Sequence, residues 1–208
     1  MKQILIATGN PSKYNLYFNI LKNLSDRKII SLRDLNMKID VDEPYESEEE
    51  NARHKAQIYN KKTGHVVICD DTGLYFENVP SCIQPKSHVN RVCGESSSDE
   101  EIIKYYANLT QKYGEKKGKF YYLNGYYLKT IVVTNGLETK IFKYKVNKIF
   151  TNKVCDKRNV GYPLDSITIT PDFNKYTVEL TDEENFKLME ISNEQVLEFF
   201  KENLEYFK

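Results

Sequence analysis

The sequence predicts an α/β fold, with a central mixed sheet flanked by helices. Between residues 1 and 75, short apolar strands alternate with helical segments, which is the pattern of parallel strands joined by crossover helices. Between residues 119 and 150, runs rich in Tyr, Val, Ile and Phe predict long antiparallel strands. With 208 residues, of which 40% are hydrophobic and 29% charged, the chain is expected to form a single domain over residues 1–208.

Hydrophobic spacing sets the elements of the first part of the chain. Strands are predicted at residues 3–7 and 28–31, with a helix that has one apolar face between them at 12–23. A second helix is predicted at 48–60. The strand that follows it begins at Val66 and is expected to end at Asp70 and Asp71.

Capping and turn residues set the later elements. Ser98 and Glu101 have the spacing of a capping box and predict a helix that continues to about residue 109. Asn124-Gly125 and Asn135-Gly136 each predict a tight hairpin between strands. Ser192-Asn193-Glu194-Gln195 resembles a second capping box and predicts that a final helix begins there.

Composition narrows the class of protein. Lys plus Arg equals Asp plus Glu at 30 each, so no overall basic field favours a nucleic acid as partner. No segment approaches the length that spans a membrane, and a cytoplasmic protein without a membrane partner is expected. The four cysteines lack CxxC spacing, which favours reduced thiols, and the three histidines lack the spacing of a zinc site.

The run Cys69-Asp70-Asp71-Thr72-Gly73-Leu74 sets two carboxylates after an apolar strand. Acidic groups at strand ends are common in metal and phosphate sites of α/β enzymes, and a glycine lets a ligand approach the backbone. Paired acids are also common in solvated turns and helix caps. Taken alone, the run leaves both interpretations open.

Two further groups of residues point to phosphate chemistry. Thr8-Gly9-Asn10-Pro11-Ser12-Lys13 joins the first strand to the first helix, where free N–H groups, the helix dipole and Lys13 would attract an anion. The spacing is not that of a Walker loop, and an ordinary strand-to-helix turn is the alternative. Glu43 precedes the acidic start of the second helix and could face a cleft.

Together, and in this order, these groups resemble the inosine triphosphate pyrophosphatase family. That family carries a TGNxxK loop, a glutamate before an ENAxxKA helix, and a DDSGL or EDTGL strand. The matching residues here are Thr8 to Lys13, Glu43, Glu50 to Ala56, and Asp70 to Leu74. Asn90-Arg91-Val92-Cys93-Gly94-Glu95 is similar, more weakly, to the family's SARYSGE segment.

The resemblance implies hydrolysis of a nucleoside triphosphate to the monophosphate and pyrophosphate. The substrates it implies carry a deaminated purine, as ITP, XTP and dITP do. It also implies Mg²⁺ as cofactor, a homodimer, and an elongated molecule with two lobes around a nucleotide-binding cleft. Asp71 would be the catalytic base, and the metal ligands would be Glu43, Asp70 and Asp71. Substrate-binding positions by the same resemblance are Thr8, Gly9, Asn10, Lys13, Thr72, Arg91, Gly161, Tyr162 and Lys187.

The C-terminal half departs from the family where the base is read. The family's GFGYDPxF segment is here Asn159-Val160-Gly161-Tyr162-Pro163-Leu164-Asp165, and no SHR motif follows Lys187. Loss of donors that pair with a base is expected to change or relax base selection. A nucleotide-binding sensor that retains the fold without turnover, or an unrelated phosphohydrolase, are the alternatives.

Overall fold

The computed structural model describes residues 3–35, 41–94 and 97–208. In these ranges, eight strands form one open mixed sheet and four helices flank it, as the sequence predicts. The strands are β1 (Ile4–Ile6), β2 (Ile29–Ser31), β3 (Val66–Phe76), β4 (Glu115–Lys117), β5 (Phe120–Thr134), β6 (Thr139–Thr151), β7 (Thr168–Thr170) and β8 (Lys175–Tyr176). The helices are α1 (Pro11–Leu21), α2 (Glu48–Thr63), α3 (Asp99–Tyr113) and α4 (Asp182–Glu202).

The strand order is β2-β1-β3-β5-β6-β7-β8, and β4 pairs with β5. The chain divides into two compact units. Unit 1 comprises Met1–Asp71, Lys129–Tyr144 and Leu188–Lys208, and unit 2 comprises Thr72–Leu128 and Lys145–Lys187. No helix in the described ranges is long and apolar enough to cross a membrane.

Unit 1 is built on parallel pairing around β1. Leu5 of β1 is in register with Ile30 of β2 and with Val67 of β3. Ala52 and Ala56 of α2 are fully buried in the same apolar cluster. Because these side chains are small, the backbone of α2 can approach the sheet closely, which fixes the rest of that helix relative to β3.

Unit 2 has a separate core beneath α3. Tyr106 of α3, Phe76 of β3 and Phe150 of β6 are buried together, and the rings of Phe76 and Phe150 lie 4.7 Å apart edge to face. The capping box of α3 is confirmed, because Ser98 and Glu101 bond to each other's backbone N–H. This core anchors the central part of the antiparallel strands.

Two strand predictions need correction. The third strand does not end at Asp71: β3 continues to Phe76, so the acidic pair lies in mid-strand. It is the neighbouring β1 that ends early, at Ile6, and the pair lies just beyond the last residue that β1 reaches, Ile68. The acids therefore still lie at the end of a parallel strand, although that strand is β1.

Asn124-Gly125 is not a hairpin, because both residues lie inside β5. A Cβ at position 125 would lie 3.0 Å from the Phe76 ring and from the Tyr75 carbonyl oxygen, so close packing requires the glycine. Asn135-Gly136 does form the predicted turn between β5 and β6, with the Asn135 N–H donating to the Glu138 carbonyl at 3.3 Å.

The predicted capping box at Ser192 is also wrong. Ser192 lies in the middle of α4, and its hydroxyl donates to the Leu188 carbonyl at 3.3 Å. The helix begins ten residues earlier at Asp182. There, Thr181 and Glu184 bond reciprocally, at 3.2 Å and 2.9 Å, and form the cap that the helix needs.

Candidate active site

The turn after β1 places a lysine in the first helical turn of α1. Asn10 caps this helix, since its Oδ1 accepts the N–H groups of Ser12 at 2.9 Å and Lys13 at 3.3 Å. The Asn10 N–H donates to Thr8 Oγ1 at 3.2 Å. The expectation of free N–H groups is therefore wrong for Asn10, Ser12 and Lys13, because these groups already donate to side chains of the turn.

Gly9 remains open within the same turn. A Cβ at this position would meet no described atom within 4 Å, and the residue is exposed. Packing within the described chain therefore does not require a glycine here. An open backbone beside a lysine is the arrangement that a close-approaching anion needs.

Lys13 and Asp70 form an ion pair, with 2.6 Å between Nζ and Oδ2. The carboxylate is only 7% exposed, whereas the lysine side chain is 32% exposed. The other carboxylate oxygen, Oδ1, is buried and has no hydrogen-bond partner among the described residues. Leaving such an oxygen without a donor or cation is costly, so a ligand that supplies one would be favoured here.

Glu43 is held near β3 by two residues of α2. Asn51 is fully buried, and its side chain bonds twice to Tyr45: Nδ2 donates to the carbonyl at 2.8 Å and Oδ1 accepts the N–H at 3.0 Å. Lys55, one turn further along, donates to Glu43 Oε1 at 2.9 Å. The segment is thus held at Glu43 and at Tyr45.

Lys55 joins this segment to the acidic pair. Its Nζ also donates to the Asp70 carbonyl oxygen at 3.2 Å, and it interacts electrostatically with Asp71. Burial lowers the pKa of Lys55, but the attraction of Asp71 and the bond to Glu43 outweigh burial and raise the pKa above its usual value. A charged Lys55 therefore draws together the two predicted carboxylates.

The predicted metal ligands fit Mg²⁺ only as part of a site. Among the described residues, no group of three or more His, Cys, Asp or Glu side chains is arranged to hold a metal ion. Mg²⁺ is commonly bound through one or two carboxylates, with water and substrate phosphates completing its shell. Glu43 and Asp71 around Lys55, and the unpartnered Oδ1 of Asp70, suit that kind of binding.

Three further side chains of unit 1 face Asp70. Burial, then Asp70, raises the pKa of Tyr17 well above its usual value, and the same two causes raise the pKa of Tyr144 to about 12. The third is Lys129 of β5, whose pKa is lowered by burial and by Lys13, against the opposing attraction of Asp70. Asp70 is thus an anion that these side chains share with Lys13.

The remaining predicted residues lie in unit 2. Thr72 follows Asp71 along β3. Arg91 is exposed in a turn, where its N–H donates to the His88 carbonyl at 2.9 Å. Glu95, the last residue of the segment that resembles SARYSGE, lies outside the described residues.

Gly161 and Tyr162 lie in a loop before a short helical turn. Gly161 has a φ of +81°, and its N–H donates to Asp99 Oδ2 at 3.0 Å. Tyr162 is 60% exposed, and Lys187 is exposed on the first turns of α4. Asp165 is partly buried and accepts a bond from Asn159 Nδ2 at 2.9 Å. Burial raises the pKa of Asp165, although the bond from Asn159 opposes this.

Three residues of unit 1 were not assigned roles from the sequence. Asn51 and Lys55 are four residues apart, which places both on one face of α2, and that spacing could have indicated a shared target. Lys129 stands in a strand whose next residues are Thr130, Ile131, Val132 and Val133. A lysine in such a run is unusual and could have been singled out.

Comparisons with known proteins show which family this chain is similar to. The sequence profile of the Ham1 family matches residues 4–192. The dITP/XTP pyrophosphatase of Thermoanaerobacter sp. (strain X514) is 30% identical over 187 residues, which are 89% of each chain. The Staphylococcus aureus Ham1 protein structure has a TM-score of 0.72 and 26% identity, over 96% of this chain and 100% of that one. A HAM1 protein from Coxiella burnetii shares the fold, with a TM-score of 0.77 at 22% identity, over 97% and 100% of the chains.

The fold and the site define an α/β protein that brings a lysine-bearing helix start and paired carboxylates together in one unit. The chain belongs to the Ham1 family.

Proposed function

We propose that the chain hydrolyses nucleoside triphosphates to the monophosphate and pyrophosphate in a metal-dependent reaction. The proposal rests on two groups of charges within unit 1. Lys13 is paired with Asp70, and Lys55 is paired with Glu43 and attracts Asp71. Relatives named dITP/XTP pyrophosphatase, matched over most of the chain, support it. Triphosphates of deaminated purines are therefore the first substrates to test.

The turn after β1 would hold the triphosphate. Lys13 supplies a positive charge, and the open backbone at Gly9 lets a phosphate approach. The side-chain amide of Asn10 and the hydroxyl of Thr8 would be further polar contacts. The positive end of the α1 dipole acts in the same direction. Thr72 would bond a phosphate oxygen from β3.

Asp71 would act as the general base. It accepts a proton from a water molecule while the water oxygen bonds to the α-phosphorus, and the bond from that phosphorus to the bridging oxygen breaks. Pyrophosphate leaves with the bridging oxygen. The nearby charge of Lys55 favours the ionised carboxylate, which is the form that can accept a proton.

The proposed cofactor is Mg²⁺, with Glu43, Asp71 and the Asp70 Oδ1 as the protein oxygens that would hold it. When bound, it would neutralise charge on the triphosphate and on the leaving pyrophosphate. Lys55 contributes by holding Glu43 in place.

Selection of the base would fall to unit 2. The exposed Tyr162 ring can stack on a base, while Gly161, Arg91, Lys187 and the partly buried Asp165 are candidates for polar contacts. Since the residues that follow Tyr162 differ from those of the family, we propose an altered base preference.

The proposal extends to a homodimer that acts in the cytoplasm, where a nucleotide pool is available. Sedimentation equilibrium of the purified chain tests the first part directly. A mass of about two chains at micromolar concentration agrees with the proposal, and a mass of one chain contradicts it.

The decisive assay of activity separates the released phosphates. The purified chain is given ITP, XTP, dITP, dUTP and the four common ribonucleoside triphosphates with Mg²⁺, and pyrophosphate and orthophosphate are measured separately. We expect the chain to release pyrophosphate. This release should stop when a chelator removes the metal, and it should return when Mg²⁺ is added. Release of orthophosphate would instead support an unrelated phosphohydrolase, and binding without turnover would support a nucleotide sensor.

A further inference from the structure

Lys129 is a cation that the fold holds beside the Lys13–Asp70 pair. It lies on β5, the sheet neighbour of β3, which carries Asp70. The side chain is partly buried, and its ammonium interacts electrostatically with both Lys13 and Asp70. Lys129 therefore belongs to the same region of unit 1 as the proposed phosphate-binding turn.

The ammonium of Lys129 has no neutralising partner of its own. Among the described residues, no hydrogen bond and no carboxylate within 4 Å reaches its Nζ, and its ring contact is with Tyr144, whose centroid is 5.7 Å away. Asp70, the carboxylate that attracts this ammonium, is paired with Lys13, with 2.6 Å between Lys13 Nζ and Asp70 Oδ2. The fold keeps a partly desolvated charge here without the pairing that usually accompanies one.

Two charged side chains act on Lys129. Lys13 comes from α1, and Asp70 comes from β3. Tyr17 of α1 and Tyr144 of β6 also interact with Asp70 but add no charge near neutral pH, where a tyrosine hydroxyl is ordinarily protonated. Two ammonium groups thus share one carboxylate, and both can donate to the oxygens of a bound phosphate.

Lys148 shows how this protein bonds a buried lysine that has a structural role, and it differs from Lys129. Lys148 of unit 2 is buried, and its ammonium donates to Thr170 Oγ1 at 2.6 Å and to Thr177 Oγ1 at 3.0 Å. Such a lysine is satisfied by the fold. Lys129 has no comparable hydrogen-bond acceptors among the described residues, so packing alone does not account for it.

We propose that Lys129 is a second phosphate-binding lysine, which acts with Lys13 to bind the polyphosphate of the nucleotide and the pyrophosphate product. The inference rests on the proposed function for the identity of the ligand. Lys13 reaches the phosphates from the start of α1, and Lys129 reaches them from β5. Asp70 keeps the two ammonium groups close despite their mutual repulsion.

Calorimetric titration with inorganic pyrophosphate tests the proposal. The variants are Lys129→Met, which removes the charge at similar length, Lys129→Arg, which restores it, and Lys140→Met. Lys140 is the matched control, because it is a lysine of the adjoining strand whose ammonium lies 5.9 Å from the centroid of the Tyr206 ring. We expect Lys129→Met to weaken binding about 10- to 100-fold, Lys129→Arg to stay within about threefold, and Lys140→Met to have no effect.

Thermal unfolding without ligand separates binding from structure. If the charge serves an anion, Lys129→Met removes an unpaired cation, and the Tm stays unchanged or rises by about 1–4 °C. An unchanged Kd in Lys129→Met, a wild-type chain that does not bind pyrophosphate, or a lowered Tm with no rescue by Lys129→Arg would each overturn the proposal.

The same variants keep this inference distinct from the proposed function. A wild-type chain that hydrolyses no triphosphate, yet binds pyrophosphate through Lys129, would overturn the hydrolysis and leave the binding role standing. A chain that releases pyrophosphate normally when Lys129 is Met, with the same KM and Kd, would overturn the binding role alone.

Discussion

The two units treat their candidate functional residues in different ways. In unit 1, Lys13 is paired with Asp70 and Lys55 is bonded to Glu43 and to the Asp70 carbonyl, and Lys55 also attracts Asp71. In unit 2, Tyr162 and Lys187 are exposed, and Arg91 lies in an exposed turn. The residues proposed for chemistry are thus held in place before a ligand arrives, whereas most of those proposed to select the base lie on the surface.

This difference has a physical basis. Cleavage of a phosphoanhydride requires charges at defined positions, and α2 supplies them by fixing Glu43 through Asn51 and Lys55. Contact with a base requires a stacking surface and a few polar groups, which loops can provide. Substitutions in unit 1 should therefore reduce turnover of every substrate, and those in unit 2 should change the ranking of substrates.

The largest effect is expected from Asp71→Asn. Removing the proposed base, which is also a candidate metal ligand, should lower kcat by at least about 10⁴-fold for all triphosphates. Pyrophosphate release at saturating substrate measures this. Asp42→Asn, at a carboxylate that is 79% exposed, is the matched control and should leave kcat unchanged. Turnover by Asp71→Asn close to that of the control would contradict the assignment.

Lys55→Met should lower kcat about 100-fold, because Glu43 and Asp71 lose the cation that draws them together. It should also change the pH dependence of stability. The folded chain raises the pKa of Lys55, so its contribution is present below the unfolded pKa of about 10.4 and is lost as the pH rises through the higher folded value. Denaturant unfolding at neutral and at strongly alkaline pH measures this. The difference in unfolding free energy between wild type and Lys55→Met should be smaller at alkaline pH, and a difference that does not change with pH would argue against this role.

Asn51→Ala should have a smaller kinetic effect of about 10-fold, because Glu43 keeps Lys55 but its segment loses two hydrogen bonds at Tyr45. The unfolding free energy should fall by about 1–3 kcal/mol, since the Tyr45 backbone groups lose their partner. Asn15→Ala, at an exposed position of α1, is the control. Full activity together with wild-type stability would show that the loop is held in another way.

The smallest effect is expected in unit 2. Tyr162→Ala should lower kcat/KM about 2- to 10-fold through KM, and the loss should differ between bases because stacking strength differs. Tyr162→Phe keeps the ring and should behave as wild type. Steady-state kinetics with ITP, XTP and ATP provide the test, and an equal loss in kcat for all three would place Tyr162 with the chemistry instead.

The parallel half of the fold was predictable from sequence because its strands and helices are short and follow one period each. Asn124-Gly125 misled because the same pair that favours a turn is also suited to close packing, here against Phe76. Ser192 misled because a capping pattern inside a helix looks like one at its start, and the true cap lies at Thr181. Long-range packing decided the first case, and a competing cap upstream decided the second.

The site was predictable to a different degree. Lys13, Glu43 and Asp71 could be named because motifs in the first 75 residues carry them. The ion pair of Lys13 with Asp70 and the approach of Lys129 depend on how β1, β3 and β5 are ordered in the sheet. No local pattern encodes that order, so the partners of these side chains emerged only from the structure.

The central claim is that unit 1 directs water to the α-phosphorus. Hydrolysis of ITP in ¹⁸O-labelled water, followed by mass spectrometry of the products, tests it most directly. We expect the label to enter the nucleoside monophosphate and the pyrophosphate to stay unlabelled. Label in pyrophosphate or in orthophosphate would contradict it, because the attack would then be at the β- or γ-phosphorus.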